Sequence, residues 1–199
     1  MPAVDPEHFA PDNARTVLLV VDVVNALEFD GAEVLLEPAL AMAEQIAGLK
    51  AACRAVGIPA IYANDNFGRW QSNIDLLIER LTTEQVRGAP LIRRLKPEGD
   101  DYRVLKPKHS AFYAAPLNLL LHRLGAENLL ITGLTTDRCV AFTANDAYMR
   151  DYRVFVPRDC CAAEAEDYHR DTLRTLERVV DADTSPWAAL DLVELAGAS

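Results

Sequence analysis

The sequence has few of the residues on which disulfide-rich and metal-dependent proteins rely. Four cysteines and four histidines occur among its 199 residues. Cys53 and Cys139 stand alone, and Cys160 directly precedes Cys161, which is poor geometry for a shared tetrahedral zinc. No two histidines lie at metal-ligand spacing. We therefore expect no metal and no other cofactor, and a core that forms without disulfide bonds.

The sequence also lacks the features of membrane-spanning, secreted and nucleic-acid-binding proteins. No apolar run approaches the roughly 18 residues of a membrane span. Residues 1–13 are polar and acidic with three prolines, unlike a secretory signal. With 20 Lys and Arg against 30 Asp and Glu, the formal charge of −10 disfavours nucleic acid and anionic membranes as partners. We expect a cytoplasmic protein with reduced cysteines that binds a small-molecule substrate.

Several motifs of nucleotide-binding proteins and hydrolases are absent. The sequence has no P-loop pattern and no G-x-G-x-x-G after a strand. It also has neither H-E-x-x-H nor G-x-S-x-G. These absences remove the sequence signals for phosphate-loop enzymes, dinucleotide-binding enzymes, zinc proteases and serine hydrolases of the nucleophile-elbow type.

What the sequence does contain is an alternation of short β-rich runs with longer helical patterns. Strands are predicted over residues 16–21, 58–63, 103–105, 128–132, 153–156 and 178–182. Helices are predicted over residues 37–56, 74–81, 115–124, 136–152, 162–177 and 187–195, and residues 88–101 are predicted to be mostly loop. This order predicts one α/β domain, a three-layer α/β/α sandwich with a mainly parallel, Rossmann-like six-stranded sheet. The domain spans residues 15–199, after an N-terminal arm of residues 1–14.

Chemically useful side chains follow several of the predicted strands. Ligands of parallel sheets bind outside the carboxyl ends of the strands. Asp22, residues 64–66 and Lys106 lie at such ends, as does the segment after Thr132 that contains Cys139. Each has an ordinary alternative: a loop cap for Asp22, an Asx-rich turn for residues 64–66, a surface lysine for Lys106, and a small core residue for Cys139. Their occurrence together favours the catalytic interpretation.

Cys139 is the candidate nucleophile because it is predicted to lie in the first turn of a helix. The helix dipole and the unpaired N–H groups there are expected to lower the pKa of the thiol. The same N–H groups can stabilise an oxyanion. His109, in the turn after Lys106, is interpreted as a packing or capping residue, with proton relay as the alternative.

This set of residues resembles the isochorismatase-like cysteine hydrolases, the family that includes nicotinamidases and N-carbamoylsarcosine amidohydrolase. The resemblance spans about residues 15–185. It is carried by Leu18–Asp22 with Asn25, by Leu105–Phe112, and by Gly133–Val140 with Thr143 and Asp146. The third segment is the most specific of the three.

The resemblance implies a role for each residue. Cys139 is the nucleophile, Asp22 takes its proton and later activates water, and Lys106 stabilises charge between them. The N–H groups of Thr135 and Cys139 form the oxyanion hole, and the Leu134–Thr135 peptide is often cis in the family. The expected reaction is thiolate attack on a carbonyl, loss of ammonia or an amine, and hydrolysis of a thioester. The family also implies a homo-oligomer, a dimer or a tetramer.

The sequence departs from the nicotinamidases of this family where they hold a metal. Those enzymes carry an Asp-x-His motif after the second strand, whereas here Asp65 is followed by Phe67 at the histidine position. We therefore expect no metal and do not expect nicotinamide as the substrate. Six residues are predicted to contact substrate: Asn64, Asp65, Phe67, Trp70, Phe112 and Arg138. Ordinary packing is the alternative for the aromatic residues, and pairing with a carboxylate is the alternative for Arg138.

The predicted function is hydrolysis of a C–N bond in a small amide or ureido compound through a thioester on Cys139. Two alternatives stay open. One is hydrolysis of an isochorismate-type vinyl ether, which the retained cysteine disfavours. The other is a non-catalytic small-molecule-binding protein on the same fold, which the presence of Asp22, Lys106 and Cys139 together disfavours.

Overall fold

The computed structural model describes residues 13–65, 74–84 and 86–197. Within them, six strands form one parallel sheet with the order β3-β2-β1-β4-β5, and β6 pairs with β4 beyond the end of β5. The strands are β1 (Thr16–Val21), β2 (Ala60–Asp65), β3 (Tyr102–Lys106), β4 (Asn128–Leu134), β5 (Arg153–Phe155) and β6 (Cys161–Ala162). This sheet confirms the predicted α/β class.

Helices connect the strands and cover the sheet. They are α1 (Ala32–Ala55), α2 (Ile74–Thr83), α3 (Ala89–Leu95), α4 (Leu117–Leu124), α5 (Ala141–Tyr148), α6 (Glu166–Val180) and α7 (Leu192–Ala196). Short 3₁₀ turns occur at Arg158–Cys160 and Trp187–Ala189, and a π-helical turn, Thr136–Val140, precedes α5. No helix in the described parts of the chain is long and apolar enough to cross a bilayer.

The central strand β1 shows why two helical layers are needed. All six of its residues are buried, so both faces of the strand must be covered. Leu18 and Val20 pack into a core with residues of α1 and α3. Val17, Leu19 and Val21 point to the other face and pack into a second core with residues of α4, α5 and α6. Because successive side chains of β1 point to opposite faces, the sheet has a core on each side, and the helices that cover these two cores form the outer layers.

Several predicted elements differ from the structure in type or extent. Residues 88–101, predicted to be mostly loop, contain α3, whose buried Leu91, Ile92 and Leu95 pack on the core. The strand predicted over residues 178–182 is absent: α6 continues to Val180 and Asp181 caps it, because Leu173, Leu176 and Val180 continue the helical spacing of buried residues. Helix α1 begins at Ala32 rather than at residue 37 and contains a proline inside it.

Gly133 sets how closely β4 approaches β1. Its φ is +109°, and a Cβ atom at this position would lie 2.0 Å from the carbonyl oxygen of Val21. Val21 and Gly133 are partners in the parallel register of the two strands. Only glycine fits this conformation and this contact. The contact brings the turn that follows β4 beside the carboxyl end of β1, where Asp22 lies.

Candidate active site

Asp22, Lys106 and Cys139 meet at the carboxyl edge of the sheet. We call these three residues the Asp-Lys-Cys cluster. The Lys106 Nζ atom lies 2.7 Å from Oδ2 of Asp22 and 3.5 Å from Sγ of Cys139. Lys106 ends β3, which is separated from β1 by β2, so its long side chain reaches past one strand to contact both partners. The structure therefore brings together the three residues that the sequence analysis selected.

Lys106 is fully buried, and its surroundings keep it charged. Its ammonium group also donates to the carbonyl of Lys108 at 3.0 Å, so three partners match its three N–H groups. Burial lowers the pKa of Lys106, but the charge and hydrogen bond of Asp22, with further effects from Cys139 and Asp65, outweigh burial and the pKa is raised overall. A permanent positive charge therefore stands beside the sulfur.

Asp22 directly follows β1 in a left-handed conformation, with a φ of +53°. Its Oδ1 atom accepts a 2.7 Å hydrogen bond from the backbone N–H of Asp65, while its Oδ2 atom pairs with Lys106. Burial raises the pKa of Asp22, and this effect exceeds the opposing effects of Lys106 and of the hydrogen bond with Cys139. Asp22 is consequently a stronger base than an exposed carboxylate.

The expectation of an acidic thiol is wrong. Burial, followed by the negative charge of Asp22, raises the pKa of Cys139 to about 12, although Lys106 opposes the increase. The sequence predicted the position of Cys139 after β4, but it could not reveal that the sulfur is desolvated next to a carboxylate. At neutral pH the resting cysteine is a thiol, and its ionisation requires a base at the moment of reaction.

The turn that carries Cys139 is tightly organised. The Leu134–Thr135 peptide is cis. The carbonyl of Thr135 accepts hydrogen bonds from the N–H groups of Arg138 and Val140, at 3.1 and 3.2 Å. The hydroxyl of Thr136 lies 2.8 Å from Nδ1 of His169, which joins this turn to α6. These contacts hold the backbone on both sides of the cysteine in place.

The segment after Lys106 is attached to α5 by hydrogen bonds to the side chains of Thr143 and Asp146. The hydroxyl of Ser110 donates to Asp146, and it accepts from the N–H of Phe112 at 3.1 Å. The N–H of Ala111 donates to the hydroxyl of Thr143 at 3.1 Å. Because α5 directly follows the turn that carries Cys139, these bonds fix the Lys106 segment relative to the sulfur.

We expect Ser110→Ala to lower the free energy of unfolding by about 1–2 kcal/mol, because it removes a part-buried hydrogen bond to Asp146 and leaves the buried Phe112 N–H without its acceptor. Urea unfolding followed by circular dichroism measures the change. Ser185→Ala is the control, since Ser185 bonds to Asp183 through its backbone N–H. Equal stability of the two variants would contradict the anchoring role of Ser110.

His109 has a contact that fits each of its two interpretations, because its ring packs against Phe142 and also lies beside Cys139. Its Nδ1 atom lies 3.6 Å from Sγ of Cys139, and its ring contacts that of Phe142 at a centroid distance of 5.4 Å. The imidazole is exposed, whereas Asp22 and Lys106 are buried. The sequence does place His109 near the site, because it lies three residues after a lysine at a strand end. It does not show whether the ring reaches the sulfur, because the path of the turn depends on contacts with α5.

Two of the residues predicted to bind substrate, Asn64 and Asp65, contact the loop around Asp22. Asn64 is buried, and its side-chain amide exchanges hydrogen bonds of 3.0 and 3.1 Å with the backbone of Val24. Asp65 uses its N–H to bind Asp22, while its half-buried carboxylate raises the pKa of Lys106. Of these two, only the Asp65 side chain stays a candidate for contact with substrate.

Four further residues were predicted to contact substrate: Phe67, Trp70, Phe112 and Arg138. Phe67 and Trp70 lie outside the described residues. Phe112 is buried in the core, with its ring against Tyr152 and under the guanidinium of Arg150, so we leave it out of the proposed site.

Arg138, in contrast, is half-exposed next to Cys139. Its Nη1 atom lies 3.1 Å from Glu164, and its Nε atom lies 3.7 Å from Asp137. The alternative of pairing with carboxylates therefore describes Arg138 in this structure. A substrate carboxylate would have to compete with Glu164 for this guanidinium.

No group of three or more His, Cys, Asp and Glu side chains suited to a metal ion occurs in the described segments. The described groups at the site are the carboxylate of Asp22, which is already paired with an ammonium, the thiol of Cys139 and the imidazole of His109, with the carboxylate of Asp65 close to Lys106. These groups suit nucleophilic chemistry with proton transfer.

Comparison with known proteins identifies the family. Residues 16–185 match the Isochorismatase domain. The chain is 39% identical to the uncharacterized isochorismatase family protein YaaI of Bacillus subtilis, over 85% of this chain and 93% of that protein. It is 32% identical to the ureidoacrylate amidohydrolase RutB of Methylobacterium radiotolerans, over 86% of this chain and 77% of that protein.

A solved structure agrees with these relatives. The crystal structure of N-carbamoylsarcosine amidase from Thermoplasma acidophilum superposes with a TM-score of 0.69 at 25% identity, covering 89% of this chain and 99% of that chain. The resemblance inferred from the three sequence segments is thereby confirmed. The chain belongs to the isochorismatase family and is a hydrolase.

Proposed function

We propose that this protein is a cysteine hydrolase that cleaves a C–N bond of a small amide or ureido compound through a thioester on Cys139. The observation that carries the proposal is the environment of one sulfur atom. Sγ of Cys139 lies 3.5 Å from a buried ammonium and is hydrogen bonded to a buried carboxylate of raised pKa. A thiol, a base and a fixed positive charge in contact are the parts that nucleophilic catalysis requires.

The first step follows from the pKa values. Because the pKa of the thiol is about 12, Cys139 attacks only as its proton passes to Asp22. The raised pKa of Asp22 makes this transfer less unfavourable than it would be to an exposed carboxylate. Lys106 stays protonated and stabilises the negative charge as it moves from Asp22 to the sulfur and then to the substrate.

The negative charge next develops on the substrate oxygen. We assign the oxyanion hole to the backbone N–H groups of Thr135 and Cys139, which lie in the organised turn after β4. Preorganised backbone donors of this kind contribute about 3–4 kcal/mol of transition-state stabilisation each. Collapse of the intermediate breaks the C–N bond as the leaving nitrogen takes the proton held by Asp22, which releases ammonia or an amine and leaves the acyl group on Cys139. Asp22 then takes a proton from the water that hydrolyses the thioester, and the freed thiolate recovers its proton from Asp22.

The substrate class is inferred from the named relatives. One is a ureidoacrylate amidohydrolase and another is an N-carbamoylsarcosine amidase, and both names describe cleavage of a carbamoyl C–N bond. The Asp-Lys-Cys cluster is suited to the same bond because its buried charges act on a carbonyl group. We further propose that the protein acts as a homo-oligomer, a dimer or a tetramer, as the family resemblance implies.

Intact mass spectrometry combined with ammonia release tests the function. Wild-type protein is mixed with N-carbamoylsarcosine, N-carbamoylglycine and succinamate and quenched in acid within milliseconds to seconds. We expect ammonia release with at least one compound and a mass increase on Cys139 equal to its acyl group. Cys139→Ala should show neither. Ammonia release that survives in Cys139→Ala, or pyruvate release from a vinyl ether without any thiol adduct, would refute the proposal.

A further inference from the structure

The two proposed oxyanion donors lie in a turn whose position depends on neighbouring elements. Thr136, the first residue of the π-helical turn, stands between Thr135 and Cys139, which supply the two N–H groups. Inside the turn, the carbonyl of Thr135 accepts from the N–H groups of Arg138 and Val140. These bonds set the shape of the turn, whereas contacts with other elements set its place in the fold. Because backbone donors act on an oxyanion only from about 2.7–3.1 Å, that place matters for catalysis.

In the described residues, side chains at two positions of this turn contact the segment that follows β6. Arg138 pairs with Glu164 at 3.1 Å, but both side chains are partly exposed, so water weakens the pair. Thr136 is fully buried, and its hydroxyl lies 2.8 Å from Nδ1 of His169 in the first turn of α6. A hydrogen bond that is kept from water holds its partners more firmly. The contact between Thr136 and His169 is therefore the firmer of the two.

His169 is suited to this contact. Burial lowers the pKa of His169, and this effect exceeds those of the charge of Glu166 and of a hydrogen bond to the backbone of Arg158. The imidazole is consequently neutral near pH 7 and offers both an N–H and a lone pair. Arg158 lies in the 3₁₀ turn before β6, and β6 pairs with the end of β4. The ring thus joins the turn that carries the nucleophile to a segment that is itself attached to the sheet.

We propose that His169 is a positioning residue for the oxyanion hole and acts through the hydroxyl of Thr136. This inference rests on the proposed function, because the oxyanion forms during acyl transfer to Cys139. His169 takes no proton and forms no covalent bond in the reaction. It keeps the backbone on both sides of Thr136 at the place where the substrate oxygen becomes negative. Its loss should therefore slow reactions of the sulfur that pass through an oxyanion and spare those that do not.

Two reagents distinguish these kinds of reaction and require no knowledge of the natural substrate. p-Nitrophenyl acetate acylates the sulfur through a tetrahedral oxyanion, whereas iodoacetamide alkylates it by displacing iodide. The burst of p-nitrophenolate and the rate of alkylation are measured at pH 8. We expect His169→Leu to slow the burst about 30-fold and to leave alkylation within about twofold of wild type. His169→Asn, whose amide keeps a hydrogen-bonding atom near the place of Nδ1, should stay within about threefold of wild type in both reactions.

Variants of Thr136 test the same hydrogen bond from its other end, including the case in which His169→Leu does not fold. Thr136→Val removes the hydroxyl and should slow the burst as His169→Leu does, whereas Thr136→Ser keeps the hydroxyl and should not. The combined variant, His169→Leu with Thr136→Val, should be no slower than either single variant, because both remove one bond. His122→Leu, at an exposed histidine in the last turn of α4, is the matched control and should behave as wild type.

The outcomes separate failure of this inference from failure of the proposed function. The role of His169 would be overturned by an unchanged burst in His169→Leu and Thr136→Val, by an equal loss in burst and alkylation, or by losses that multiply in the combined variant. In those cases the burst would still depend on Cys139. A burst that is absent from wild type, or that persists in Cys139→Ala, would instead refute the proposed nucleophile.

Discussion

We expect Asp22→Asn to hydrolyse amides about 10³-fold more slowly than wild type while its Cys139 thiol reacts faster with iodoacetamide. The two effects have opposite directions because Asp22 has two influences on the sulfur. As a base it accepts the thiol proton, which asparagine cannot do. As a negative charge it raises the pKa of the thiol, and asparagine removes that charge while the lowering effect of Lys106 remains.

The measurement compares kcat for amide hydrolysis with the rate of alkylation of Cys139 at pH 8. In wild type, a thiol pKa of about 12 keeps the thiolate fraction low at this pH. Asp137→Asn is the matched control, because Asp137 lies in the same turn but pairs with Arg138. Alkylation that is slower in Asp22→Asn than in wild type would contradict the assigned effect of Asp22 on the thiol.

Lys106→Met should lower the free energy of unfolding by about 3–5 kcal/mol near neutral pH and abolish most activity. Methionine approximates the volume of the aliphatic chain, but it leaves the carboxylate of Asp22 buried without its 2.7 Å ionic partner. Removing one member of a buried ion pair costs more than removing both. We therefore expect Lys106→Met combined with Asp22→Asn to recover most of the lost stability.

The stability loss in Lys106→Met should depend on pH. Burial already raises the pKa of Asp22 in the folded protein, and Lys106 is the largest opposing influence, so its removal raises that pKa further. A carboxyl group with a raised folded-state pKa binds its proton preferentially when folded. Its unfavourable contribution therefore grows as the pH rises above the unfolded-state pKa of about 3.9 and diminishes as the pH falls towards it.

Urea unfolding of wild type and Lys106→Met at several pH values between 4.5 and 8 tests this dependence. The difference between the two should be largest at pH 8 and should narrow towards pH 4.5. Lys108→Met is the control, because Lys108 is exposed and contributes only its backbone carbonyl to the cluster. A difference that stays constant across this range would show that lost packing, not the buried carboxylate, destabilises the variant.

The strands that carry the Asp-Lys-Cys cluster were predictable because the residue composition of each short segment identifies it as a strand. The apolar run before Asp22 has the composition of a buried parallel strand, and the predicted strand of residues 16–21 coincides with β1. Lys106 ends the short strand β3, and Cys139 lies in the turn after β4, whose seven residues are all buried. Since parallel strands end at one edge of a sheet, residues at these ends are expected to be neighbours.

Other features depended on contacts between distant segments. Asn64 follows the same strand-end rule as Asp22, yet its amide binds the backbone of Val24. Arg138 stands next to the nucleophile in sequence, but Glu164, which follows β6, occupies its guanidinium. Helix α3 was missed because the two prolines and two glycines of residues 88–101 suggested a loop, while the buried apolar residues of the helix required a core to pack against.

By itself, the sequence determined the α/β class, the strand ends that carry Asp22, Lys106 and Cys139, and the family. These follow from local composition and from chain order. Only the tertiary structure decided the direction of the shift in thiol pKa and the place of His109 beside the sulfur. Both depend on desolvation and on distances between residues far apart in the chain, which no local pattern encodes.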